Sequence, residues 1–183
     1  MHELGSSDDP HPTVPETRLS PNELRTITSH LAEQEDFWRP QGVDDPSTPW
    51  RSRVLWSPQV EIWIIGWKDR SGIEPHDHGG AIGAFTVCEG VIDTHERSLD
   101  RPHDQVRQRR LRAGDSVTFG ADHVHEIVNR SGAPATSMHA FSPALTTVTF
   151  YAPIAEDLLP TRREAVSDPD SSVIATPVGA GRG

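Results

Sequence analysis

Between residues 50 and 151 the sequence is a series of short runs rich in β-branched and aromatic residues, each closed by turn residues. No other feature limits the possible folds as much. Residues 54–56 and 60–67 are two such runs, joined at Ser57-Pro58. Side chains of this kind fit a pleated, half-buried surface, and Ser and Pro suit the bend between them. Residues 84–88 and 91–95 flank Glu89-Gly90, which predicts a tight hairpin turn. A basic run over 105–112 reads as a solvated strand, with Arg107, Arg109, Arg110 and Arg112 on an exposed face. After a turn at Ala113-Gly114-Asp115, further strands are predicted at 116–119, 123–129, 136–141 and 146–151. Many short strands with regular turn punctuation predict an all-β sandwich or barrel that closes on itself. No internal repeat is present.

One helix is predicted ahead of the strands. Ser20 can cap it, Pro21 suits its first position, and Glu23 completes a capping box. Leu24, Ile27 and Leu31 then share a face over residues 21–35, so the helix should cover one side or end of the barrel. Residues 39–49 form a polar, proline-bearing connection. The chain of 183 residues is only 34% hydrophobic and has 16 prolines, so part of it is expected to stay unpacked. The expected organisation is a disordered tail over 1–19, one domain over 20–160, and a disordered tail over 161–183. A formal charge of −10 disfavours nucleic acid and anionic membranes as partners. The single cysteine, Cys88, excludes an intrachain disulfide framework, and with no signal-peptide pattern or long apolar span the chain is expected in the cytoplasm.

The chemistry concentrates at Pro75-His76-Asp77-His78-Gly79-Gly80 and, further on, His125. Histidines two apart on an extended strand project to one face, because side chains alternate with period two. Two imidazoles on one face are half of a metal site, and imidazole suits iron, zinc, copper and nickel. His76-x-His78, Gly90 twelve residues after His78, Gly114 eleven before His125 and Asn129 four after it together resemble the two signature motifs of cupins. These are double-stranded β-helix or jelly-roll barrels with a metal in their mouth, an all-β fold that suits the strand pattern. In the second motif Gly120 and Asp122 stand where a proline and a glycine are usual. Where many cupins place a glutamate ligand, this chain has Ile82 and Gly83. The resemblance therefore implies a site of three histidines, His76, His78 and His125, with no carboxylate.

Three-histidine cupins resemble the cysteine dioxygenase family in particular. Ile64-Ile65-Gly66-Trp67 resembles that family's apolar strand, Pro75-His76-Asp77-His78 its metal loop, and His125-Glu126-Ile127-Val128-Asn129 its third-ligand strand. Ser137-Met138-His139-Ala140-Phe141-Ser142-Pro143 resembles its Ser-x-His-x-Tyr-Ser-Pro strand, and Arg53 falls where the family's carboxylate-binding arginine would stand. The resemblance implies Fe(II) as cofactor and O2 as co-substrate. It further implies a small thiol such as L-cysteine as substrate, and sulfur as the atom oxidised, in a monomer or small homo-oligomer. His139, Arg53 and Phe141 would be the catalytic side chains. Phe141 stands at the family's tyrosine position and removes a hydroxyl beside the metal; Gly83, at a cysteine position of the animal enzymes, resembles bacterial members. Sulfur oxidation coupled to decarboxylation is one alternative outcome, and a non-enzymatic metal- or ligand-binding cupin is another.

Several residues have competing readings. His123 shares a strand face with His125, but only His125 has the cupin spacing. Arg51 shares a face with Arg53 and is the alternative clamp. Cys88 reads as a buried apolar residue, and Trp63 and Trp67 as core packing. His2, His11, His30, His95 and His103 are expected to play no part.

Overall fold

The computed structural model describes residues 18–39, 49–101, 105–154 and 157–166. His2, His11, His103, most of the 1–19 tail and most of the 39–49 connection lie outside these residues. Helix α1 (Pro21–Ala32) begins as its sequence dictates. Ser20 Oγ accepts the Glu23 N–H, and the Glu23 carboxylate accepts the Ser20 N–H at 2.7 Å. The helix ends at Ala32, earlier than its pattern predicts, and after Glu33-Gln34 a single turn α2 (Glu35–Trp38) follows. The buried Trp38 fixes that break by donating its Nε1–H to the Ala32 carbonyl at 2.9 Å.

Eleven strands follow: β1 (Trp50–Trp56), β2 (Glu61–Trp67), β3 (Gly72–His76), β4 (Ile82–Glu89), β5 (Val91–Ser98), β6 (Arg107–Arg112), β7 (Ser116–Phe119), β8 (His123–Val128), β9 (Ala135–Ser142), β10 (Thr147–Ile154) and β11 (Asp157–Ala165). They form a five-stranded sheet in the order β1-β2-β9-β4-β7 and a six-stranded sheet in the order β11-β10-β3-β8-β5-β6. Every pairing is antiparallel. The period of two sorts the side chains of β2 and β9 into two cores. Trp63, Ile65, Trp67 and Phe141 pack between the sheets, while Ile62, Ile64, Met138 and Ala140 pack outward beneath α1 with Leu24. The helix thus covers the outside of the five-stranded sheet and leaves its inner face free to build a site.

Two expectations are corrected. Glu89-Gly90 is not a hairpin, since β4 and β5 lie in different sheets and the chain turns a corner there. Gly90 has φ +80°, and a Cβ on it would sit 2.6 Å from the Pro134 carbonyl oxygen, so the corner needs glycine. The C-terminal boundary also moves, because residues 161–165 are the second half of β11, paired along β10. The strand lies at a sheet edge and is mostly exposed, so no apolar alternation marks it, and Pro160 is tolerated where half the ladder is unpaired. Val166 then packs against the inner core. Among the described residues, no helix is long and apolar enough to cross a membrane.

Candidate metal centre

His76 closes β3 and stands directly opposite His125 on β8. His78 is not on the same strand; the chain has left β3 and turns through Gly79 at φ +60°. Strand parity therefore does not aim His78; Asp77 does. Its N–H donates to the Thr149 carbonyl at 2.9 Å, and its carboxylate accepts the N–H groups of Gly79 and Thr149 and the Tyr151 hydroxyl. These bonds hold the Asp77 carboxyl below its usual range against the opposing effect of burial. The result is a near-equilateral triangle of rings, with centroids 5.1 Å apart for His76–His78, 4.7 Å for His76–His125 and 4.9 Å for His78–His125.

All three imidazoles are buried. Burial lowers the His76 pKa to about 4 and drives those of His78 and His125 well below the ordinary value, so all three are neutral near pH 7 with lone pairs available. His76 Nδ1–H donates to the Glu74 carbonyl at 2.8 Å, which leaves Nε2 as its ligating atom. His78 Nδ1 and both ring nitrogens of His125 are buried without a hydrogen-bond partner among the described residues. Unpaired buried nitrogens of this kind are costly unless something occupies the space between them. One nitrogen from each histidine lies within 4.8 Å of the others, a set that fits a transition metal held by three imidazoles. Among the described residues no carboxylate joins them, and a Cβ on Gly83 would lie 2.3 Å from the Phe119 ring, which fills that space and stacks on His78 at 4.6 Å. His123 also stacks on Phe119, at 4.8 Å, and stays outside the triangle.

A cavity of about 70 Å³ opens on the triangle. By the space that one water needs, it has room for a few waters or one small ligand. Its opposite wall comes from the five-stranded sheet and includes Arg51, Trp63, His139 and Phe141. Phe141 lies with its ring centroid 5.2 Å from that of His78. His139 is set by a relay in which Trp67 Nε1–H donates to Ser137 Oγ at 2.8 Å, and Ser137 Oγ lies 2.7 Å from His139 Nε2. The serine oxygen accepts the indole proton and keeps one proton and one lone pair, so it can serve His139 Nε2 as donor or as acceptor. Burial holds the His139 pKa down at about 3, so this ring is neutral as well.

Arg53 is absent from the cavity wall. Its guanidinium lies 3.6 Å from the fully buried carboxylate of Glu61 and 5.4 Å from the Trp63 ring centroid, while Arg51, at the same distance from that ring, lines the cavity. Cys88 lies on the helix side of the sheet, and burial pushes its thiol up to about 12, which makes it inert. His95 pairs with Glu126, and His30 is exposed on α1.

A family model described as cysteine dioxygenase type I matches residues 16–153. The chain belongs to the cysteine dioxygenase type I family. Solved structures show the same fold at low identity. An oxalate oxidase in complex with the substrate analogue glycolate is 18% identical with a TM-score of 0.50, the match covering 60% of each chain. A Klebsiella pneumoniae protein with a double-stranded β-helix domain is 19% identical with a TM-score of 0.52, covering 63% of this chain and 94% of that one. Procruciferin, an 11S globulin from Brassica napus, is 10% identical with a TM-score of 0.50, covering 59% of this chain and 28% of that one. The present chain thus spans about 60% of the oxalate oxidase it matches. The cluster of His76, His78 and His125 gives this member of the cysteine dioxygenase type I family a site suited to a metal ion.

The sequence does not reveal that Trp63 and Trp67 line the cavity or that Tyr151 braces the metal loop. The alternation of β2 puts both tryptophans on one face, but only the pairing of β2 with β9 shows that this face meets the site. Nothing local marks Tyr151, whose partner Asp77 is 74 residues away.

Proposed function

We propose that this protein is an Fe(II)-dependent thiol dioxygenase acting on a small carboxylated thiol, with L-cysteine the first candidate. The observation that carries this reading is a carboxylate-free triangle of neutral imidazoles facing a small cavity with a guanidinium in its wall. Fe(II) held by His76, His78 and His125 would supply Lewis acidity to deprotonate the thiol and a template on which thiol and dioxygen meet. The remaining roles belong to the chain. Arg51 binds the carboxylate and selects amino-acid-like thiols over simple ones, a charge-assisted contact worth about 1.5–3 kcal/mol. His139, fixed by Ser137 and Trp67, presents a neutral ring to the cavity. Phe141 and the apolar wall keep water out. In the overall reaction both atoms of dioxygen end on sulfur, giving a sulfinic acid without an external reductant.

Phe141 favours one variation. A cavity without the family's tyrosine hydroxyl stabilises charge differently, which supports a shifted substrate or a product other than the sulfinate, such as one formed with decarboxylation. The test is oxygen uptake by anaerobically iron-loaded protein given L-cysteine, cysteamine and 3-mercaptopropionate, with mass spectrometry of the products. Thiol-dependent uptake with oxygen atoms on sulfur is expected. Tight iron binding without uptake on any thiol would favour a non-enzymatic metal- or ligand-binding cupin.

A further inference from the structure

Three tryptophans are buried among the described residues: Trp38, Trp63 and Trp67. Two have their indole N–H groups satisfied, Trp38 by the Ala32 carbonyl and Trp67 by Ser137 Oγ. Trp63 is the exception. It is 5% exposed and lines the cavity, and its Nε1 is buried with no partner among the described residues. Indole nitrogen can only donate, so a buried one lacking an acceptor is a standing free-energy penalty that a ligand oxygen would remove.

Its neighbours say which oxygen. Trp63 stands opposite Arg53 on one side and opposite His139 on the other, so it occupies the centre of the wall that faces the metal ligands. The guanidinium carbons of Arg51 and Arg53 both lie 5.4 Å from the Trp63 ring centroid, and of the two it is Arg51 that lines the same cavity. A carboxylate gripped by one guanidinium keeps lone pairs that a second donor can use. We propose that the Trp63 indole N–H and Arg51 together form a carboxylate subsite, with Trp63 as a specificity-determining residue that selects thiols bearing a carboxylate. The cavity's neutral donor is then carried by β2 instead of by the β9 position that Phe141 occupies. The thiol identity rests on the function proposed above; the anion-binding role of Trp63 does not.

The experiment uses zinc-loaded full-length protein, which is diamagnetic, labelled with nitrogen-15 at the tryptophan indoles. The chain has 5 tryptophans, so the indole spectrum is simple, and the Trp63 signal is assigned by through-bond experiments without any variant. Titration with L-cysteine, 3-mercaptopropionate or propionate is expected to move the Trp63 N–H signal downfield, and cysteamine is expected to leave it in place. Calorimetry on Trp63→Phe should show about 10-fold weaker L-cysteine binding and little change for cysteamine. A Trp63 signal that moves with propionate while L-cysteine fails to bind upholds the subsite and removes the thiol reading. L-Cysteine bound at the metal with the Trp63 signal unmoved overturns the subsite and leaves the thiol reading standing. A signal unmoved by all three carboxylates also overturns it.

Discussion

The two walls of the cavity are built by different sheets and obey different rules. On the six-stranded side, His76 and His125 face each other across β3 and β8, and His78 follows on the loop braced by Asp77. This half is a rigid set of donors pinned by backbone register and buried hydrogen bonds. On the five-stranded side, Arg51, Trp63, His139 and Phe141 project from β1, β2 and β9. This half carries His139 and Phe141 and has Arg51, not Arg53, in the cavity wall. One sheet of the barrel thus carries the three candidate ligands, and the other lines the far side of the cavity that they face.

The sharpest way to break this division is at the metal half. His125→Ala should abolish stoichiometric metal binding, whereas His123→Ala should retain it, because His123 stacks on Phe119 outside the triangle. Metal analysis of the two purified variants decides; retention in His125→Ala with loss in His123→Ala would reassign the third ligand.

The next effects separate two arginines of the other half. Arg53→Met strands the buried Glu61 carboxylate without its cation and should lower unfolding stability by about 3 kcal/mol in urea. Arg51→Ala should raise KM for L-cysteine by a factor corresponding to about 1.5–3 kcal/mol, with little effect on cysteamine. The reverse pattern would return the carboxylate to Arg53. Smaller still is Phe141→Tyr, which adds one hydroxyl to the ring beside His78. It should change the rate or the product distribution with L-cysteine by the worth of one hydrogen bond, about 1.5 kcal/mol or roughly 10-fold. An unchanged sulfinate yield and rate would show that the departure at this position is silent.

How much of this was legible in the sequence follows from how local each signal is. The capping box of α1 and the parity of β2 depend on residues three or two apart, and both can be read directly. The grouping of His76, His78 and His125 is legible from spacing and family resemblance, although strand parity does not place His78, because Asp77 bends the chain after His76. The Glu89-Gly90 turn looked like a hairpin because a tight glycine turn reads alike whether the next strand joins the same sheet or crosses to the other. Strand β11 was invisible, since an exposed edge strand has no need of apolar alternation. Arg51 and Arg53 share a face, so no pattern in β1 could rank them; the fold adds that Arg53 lies 3.6 Å from Glu61, whose burial no local pattern marks, and that Arg51 lines the cavity.

The central claim is that one sheet holds the metal and the other holds the substrate. A crystal structure of the iron-loaded protein with L-cysteine, grown without oxygen and with the iron located by anomalous scattering, tests it directly. The account predicts a single iron bonded to His76, His78, His125 and the cysteine sulfur, with the cysteine carboxylate on Arg51. Iron bound through His123, or a cysteine carboxylate on the six-stranded side of the cavity, would contradict it.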